Sequence, residues 1–170
     1  MKQIFSIVFC LFLAFSTLGQ TPYTTAADPQ HPGGLILNGV LTKYILINEK
    51  SFKWYGANQN GYQPDASMVT TMAAAKDSFH VVIFGGTWCD DTQFILPRFF
   101  KIQELSGFPD SRVTFFGVDR NKKTLGNAGA AFQLQNIPTI IVMKNGKEVG
   151  RVVEYGKTGK WDAELSSLLQ

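Results

Sequence analysis

The sequence predicts an α/β domain built on a central mixed β-sheet, with helices on both faces and an appendage at its N-terminal side. Three observations predict it. From residue 66 onward the pattern runs helix, strand, helix, strand, helix, strand, strand, helix, and strands joined through helices lie parallel in a sheet. The last two strands flank Asn145-Gly146, the pair that a type I′ hairpin turn favours, so they add antiparallel members. Finally, 170 residues with 45% hydrophobic and 13% aromatic side chains suffice for one sizeable core and are too few for two full domains.

Taken from the start, Lys2 precedes an apolar run from Ile4 to Phe15, followed by Ser16, Thr17, Leu18 and Gly19. The run is too short to span a bilayer comfortably, and this order of basic, apolar and small residues reads as a secretory signal peptide cleaved between Gly19 and Gln20. Cys10 sits inside the run rather than after it, which argues against a lipoprotein. Removal of residues 1–19 takes Lys2 and Cys10, so 16 basic side chains become 15 against 13 acidic ones, a formal +2, and one cysteine remains. The expected organisation is therefore residues 1–19 signal, 20–64 tether and appendage, 65–170 main domain.

Thr21 to Gly34 is rich in Thr, Ala, Pro and Gly without periodicity and reads as a flexible tether. The segment from Leu35 to Pro64 holds one expected strand, Tyr44 to Ile47, then Trp54 and Tyr55 ahead of a turn-forming run at Asn58 to Gly61. Asp65 is placed to cap a helix from Ala66 to about Lys76, where Met68, Met72 and Ala75 recur at helical spacing. With no cysteine or histidine nearby, the methionines read as core packing rather than a copper site. His80 to Phe84 is a buried strand that ends in Gly85-Gly86. The following helix carries Ile95, Phe99, Ile102 and Leu105 on one predicted face, with Pro97 inside it. Arg112 to Val118 is a second buried strand, and Thr124 to Phe132 a small-residue helix. Strands at Thr139 to Met143 and Lys147 to Val153 form the hairpin, and Trp161, Leu165, Leu168 and Leu169 mark a final amphipathic helix.

The composition also excludes functions. A formal +3 without a basic block argues against nucleic-acid binding. Cys10, Cys89, His31 and His80 are too few for a disulfide scaffold or a four-ligand zinc site, so no metal or other cofactor is expected. A lone thiol in an exported chain is an intermolecular disulfide partner, a reactive group or an inert buried residue. At the start of a helix, Cys89 meets unsatisfied N–H groups and the positive end of the macrodipole, both of which favour thiolate. Thr92 is three residues on, where its hydroxyl can donate to that sulfur. Asp90 and Asp91 modulate the site in the opposite sense, because their charge disfavours a second anion while stabilising the helix start. The run Asp119, Arg120, Asn121, Lys122, Lys123 follows a parallel strand, at the sheet end where α/β proteins bind ligands. It reads as solvated loop charge, with a seat for an acidic partner as the functional alternative.

Phe84 to Pro97, FGGTWCDDTQFILP, resembles the active-site segment of the thioredoxin family, where Trp-Cys-x-x-Cys follows a central strand and a helix proline stands eight residues after the first cysteine. Pro97 keeps that spacing. Asn136-Ile137-Pro138-Thr139 is similar to the family's cis-proline loop, and Lys144 to Lys147 to its hairpin. The resemblance covers roughly residues 66 to 170 and extends to a group of exported bacterial thioredoxin-like proteins. It implies a thioredoxin-like fold, thiol–disulfide exchange at Cys89 beside Trp88, and an extended client segment held along Ile137, Pro138 and Thr139. Two departures matter: Thr92 stands where the family has its resolving cysteine, and Ile83 where it has a buried aspartate.

A single thiolate stops at the mixed disulfide unless an outside thiol attacks it. The expected function is therefore that of an exported monothiol protein that exchanges disulfides with client proteins bearing disulfides or oxidised thiols, in the manner of an isomerase or by removing small-thiol adducts. An external thiol or reducing partner completes each cycle. The rival reading is a binding module that keeps the fold and the peptide groove without redox turnover.

Overall fold

A computed structural model of the chain describes residues 21–170; the expected signal segment and Cys10 lie outside the described residues. Strand β1 (Tyr23–Ala27) leads into β2 (Leu35–Leu41) and helices α1 (Lys43–Asn48), α2 (Lys53–Asn60) and α3 (Ala66–Ala75). Then come β3 (Phe79–Gly85), α4 (Asp90–Ser106), a 3-10 turn at Asp110–Arg112, β4 (Val113–Gly117), α5 (Ala128–Ala131), β5 (Thr139–Lys144), β6 (Lys147–Val153) and α6 (Trp161–Leu168). The six strands form one sheet in the order β1-β2-β4-β3-β5-β6. Only the β3–β4 pair is parallel, with Ile83 opposite Phe115; every other pairing is antiparallel.

Strand alternation divides the interior in two. Val81, Ile83, Phe115, Ile140 and Val142 face a large core with α3, α4 and α6, where Met72, Phe99, Ile102 and Leu165 are fully buried. Phe84, Ile141, Val118 and Ile137 face a smaller core on the opposite side, against which Trp88, Cys89 and Phe132 pack. Phe84 lies nearly parallel to Phe116 at 5.1 Å between ring centroids. The hairpin follows its sequence signal: Asn145 and Gly146 have φ of 53° and 74°, the pair of positive values a type I′ turn requires. Asp65 caps α3 by accepting a hydrogen bond from the Ser67 N–H.

The N-terminal segment differs from its sequence reading. Residues expected to be a tether contain β1, which pairs with β2 from Tyr23 opposite Gly39 to Ala27 opposite Leu35. As an edge strand with little of either side covered, β1 has no hydrophobic alternation to betray it. The expected strand at Tyr44 to Ile47 is helical, because Lys43 and Leu46, three positions apart, are buried while Tyr44 and Ile47 are exposed. Asn58 to Asn60 completes α2 rather than forming a turn. The appendage thus packs on the main domain by extending its sheet through β2 and β4.

Two further elements depart from expectation. Leu105 is exposed, and the buried face of α4 instead includes Leu96, Phe100 and Gln103 beside Ile95, Phe99 and Ile102. The helix expected over Thr124 to Phe132 contracts to four residues, since Gly126 adopts φ of 70°, which a right-handed helix cannot accommodate.

Candidate functional site

The site forms where β3 ends and α4 begins. Gly85-Gly86 lets this turn run close to its neighbours: a Cβ on Gly86 would come within 2.7 Å of the Trp88 indole and 2.9 Å of Ile137 Cδ1. Thr87, buried, donates through Oγ1 to the Leu35 carbonyl at 2.6 Å and accepts from the Leu37 N–H at 3.2 Å, which fixes the turn to β2. From the other side, Gln93 Nε2 donates to the Thr87 carbonyl at 2.9 Å. Cys89 is the N-cap residue of α4 and the only cysteine among the described residues; its carbonyl already accepts the Gln93 N–H at 2.9 Å. The sulfur is partly exposed and lies 3.9 Å from the Ile137 carbonyl, within range of a weak S–H donor bond.

The Ile137–Pro138 peptide is cis. Ile137, Pro138 and Thr139 are all buried, and Thr139 Oγ1 donates to the Asn136 carbonyl at 2.6 Å. Ile137 therefore flanks the thiol through its backbone, whereas Thr139 shapes its loop. The Pro138 carbonyl accepts the Glu154 N–H at 2.7 Å, bringing the segment after β6 to the same wall. There Tyr155 packs on Phe94, 5.6 Å between centroids. Burial raises the Tyr155 pKa, as does the negative charge of Asp91 nearby. Neither Tyr155 nor Phe94 carried a signal in the sequence beyond being aromatic.

Thr92 does not fill its expected role. It is fully buried, and its hydroxyl accepts the Gly86 N–H at 3.3 Å without a hydrogen bond to the sulfur. Its methyl group sits where a Cβ on Gly85 would intrude, at 2.8 Å, so Thr92 fills space at the root of the helix and ties it to the turn. Asp90 is exposed and Asp91 half-buried in the first turn, where acids complement the helix dipole.

Trp88 donates from Nε1 to the Val118 carbonyl at 3.1 Å, and the Arg120 guanidinium carbon stands 4.8 Å from the centre of its ring. Arg120 was read within a run of solvated loop charge. It is instead held by Asp28, a residue of the supposed tether, through Nε and Nη2 at 2.8 Å each. The Asp28 side chain is only 2% exposed. Hydrogen bonds from Arg120 hold its carboxyl far below the usual carboxylate range, against the opposing effect of burial. The rest of the run serves its own loop: Asp119 Oδ1 accepts the N–H groups of Asn121 and Lys123, and Lys122 Nζ donates to Gln135 O and Asn136 Oδ1. A pairing between residues 92 positions apart leaves no local trace in a sequence.

Among the described residues, no three His, Cys, Asp or Glu side chains converge to hold a metal ion, and no helix is long and apolar enough to cross a membrane. His80 is exposed at the far end of β3.

A partly exposed thiol at a helix N-terminus, faced by a cis-proline loop at the end of the central strands of a mixed sheet, defines a thiol protein of the α/β class. The thioredoxin family model matches residues 65–167, and the chain belongs to that family. It is 35% identical over 81 residues to thioredoxin-1 of Saccharomyces cerevisiae, covering 48% of this chain and 73% of that protein. A thioredoxin of Staphylococcus saprophyticus is 35% identical over 82 residues, covering 47% and 72% respectively. Among solved structures, the thioredoxin of Fasciola hepatica is 25% identical with a TM-score of 0.41, covering 58% of this chain and 88% of that one.

Proposed function

We propose that this protein is an exported monothiol member of the thioredoxin family that exchanges disulfides with client proteins through Cys89. Family membership supports thiol–disulfide chemistry as the general class. The observation that carries the finer reading is the seat of Cys89 itself: N-cap of α4, partly exposed, 3.9 Å from the Ile137 carbonyl, with buried Thr92 where a resolving thiol would stand. The Cys89 thiolate attacks one sulfur of a client disulfide, forming a mixed disulfide and releasing the other client sulfur as thiolate. A thiol of the client, or an external one, then attacks that bond and returns Cys89 as thiolate. The first route rearranges the client's disulfides; the second transfers the bond or removes an adduct. Lys2 and the apolar run from Ile4 to Phe15 support export.

The mature chain and its Cys89→Ser variant are incubated with disulfide-bearing exported proteins, and the products are separated without reductant. The wild-type chain is expected to yield mixed disulfides that the variant lacks entirely and that a small thiol releases. Absence of any Cys89-dependent adduct, with client binding retained by Cys89→Ser, would overturn exchange in favour of a non-catalytic peptide-binding module.

A further inference from the structure

The family-matched segment begins at residue 65, yet one wall of the site is secured by a residue upstream of it. Asp28 lies in the loop between β1 and β2, closed by backbone bonds from Asp28 N–H to Gly34 O and from Gly34 N–H to His31 O, both 2.9 Å. Its carboxylate is out of water and fully engaged. Oδ1 accepts from Gln30 N–H at 3.0 Å and from Arg120 Nε, while Oδ2 accepts from Arg120 Nη2 and lies 2.8 Å from His31 Nδ1. Arg120 Nη1 also donates to Gln30 Oε1 at 2.5 Å. Such a fork fixes the plane of a guanidinium, which a single lysine ammonium does not do.

The guanidinium so fixed stands over Trp88, its carbon 4.8 Å from the centre of the ring. The indole is thereby confined at its N–H edge, which donates to Val118 O and lies too close to Gly86 for any Cβ there, and at its ring by Arg120. An ion pair serving only to join the N-terminal segment to the domain has no need to touch the residue next to the thiol. We propose that Arg120 is a positioning residue for the site, its guanidinium oriented by Asp28 so that it holds the Trp88 indole in place beside Cys89. The N-terminal segment is then part of the site and not only an extension of the sheet. The catalytic consequence rests on the reading of Cys89 as nucleophile: a client segment approaching the sulfur meets an ordered aromatic wall instead of a mobile one.

The test uses the mature chain labelled with 5-fluorotryptophan, in which Trp54, Trp88 and Trp161 give separate fluorine resonances and Trp88→Phe identifies that of Trp88. In Arg120→Met the Trp88 resonance is expected to shift or broaden while the other two stay. Exchange with a disulfide-linked peptide falls about tenfold, the scale of losing a partly desolvated cation–π contact. Arg120→Lys keeps a cation for Asp28 but not the flat face, so it retains the fold yet still moves the Trp88 resonance. Asp28→Asn is expected to move it as well. If Trp88 stays unmoved in the Arg120 variants and exchange is unchanged, the pair is only a tie between segments and the proposal is wrong. If the wild-type chain itself shows no exchange, the nucleophile reading fails, and the fluorine spectra still decide whether Arg120 positions Trp88.

Discussion

Two ionic clusters join residues 21–64 to the rest of the chain, and they share one chemistry while doing different things. At one, Asp28 is buried and meets Arg120; at the other, Lys43, 8% exposed, meets Asp110 at 3.0 Å, Glu104 at 3.3 Å and Gln103 Oε1 at 2.9 Å. Each buries a charge that must be paired to be tolerated. The difference lies in what the cation touches next. Lys43 faces the 3-10 turn and the C-terminal half of α4, remote from Cys89, whereas Arg120 lies on Trp88. Attachment and site-building are separable jobs, and the same N-terminal segment performs both.

The largest expected effect comes from Lys43→Met. Burial works against the Lys43 charge, but Asp110 and Glu104 outweigh it and hold its pKa above the ordinary value. Removing the ammonium strands Gln103 Oε1, inside a residue that is 2% exposed, and leaves Asp110 with Tyr44 and Gln103 Nε2 as its remaining partners. The cost in unfolding free energy is about 2–3 kcal/mol. The rate at which Cys89 reacts with a disulfide peptide stays at the wild-type value under native conditions. A Lys43→Met protein that loses exchange in proportion to stability would merge the two clusters into one.

Gly86→Ala approaches the comparison from the site. Its new methyl group meets Trp88 and Ile137 first, at 2.7 and 2.9 Å, so something must shift at a cost of about 1–2 kcal/mol. Exchange is expected to slow to a similar extent as in Arg120→Met, because both displace the same indole. Equal exchange in Gly86→Ala and wild type, with the Trp88 fluorine resonance shifted, would show that the position of Trp88 is immaterial to the rate.

How far the sequence revealed these features depends on the range of the forces involved. The continuous apolar run at His80 to Phe84, the Asn145-Gly146 turn and the cap at Asp65 are local, and each was legible. So was the seat of Cys89 at a helix start after a glycine pair. Lys43 and Leu46 were misread because Tyr44, Ile45 and Ile47 favour strands on their own, and only the neighbouring α2 and α4 decide which residues are covered. The bond expected from the Thr92 hydroxyl to the sulfur assumed an open helix start, whereas Thr92 is fully buried at the root of the helix, with its oxygen toward the Gly86 N–H and no hydrogen bond to the sulfur. Asp28 was beyond reach, for its partner is 92 positions away and its own surroundings read as polar loop.

The smallest effect separates the clusters by acid. Both Asp28 and Asp110 have depressed pKa values: Asp28 chiefly through hydrogen bonds from Arg120, Asp110 through Gln103, Lys43 and Tyr44 after overcoming the opposing cost of burial. A depressed folded-state pKa contributes stability that is complete above the unfolded value, about 3.9, and drains as pH falls toward the folded one. Neither carboxylate therefore tilts stability between pH 6 and 8. Below pH 4 each proton bound only by the unfolded chain lowers stability by about 1.4 kcal/mol per pH unit. Both contributions start to drain near the unfolded value; that of Asp110, half-exposed at 49% and screened by water, should be exhausted first, while Asp28, at 2%, should hold its charge to lower pH. Denaturant midpoints from pH 6 to 2 test this. Asp110→Asn is expected to flatten only the upper part of the acid limb, whereas Asp28→Asn flattens it from its start near pH ~4 down to pH ~2, and the Trp88 resonance of the folded wild-type chain should persist while Asp110 takes its proton and move only below that. Movement of that resonance in step with Asp110 would mean that the two clusters communicate, and that the site depends on the whole N-terminal junction rather than on the Asp28–Arg120 pair.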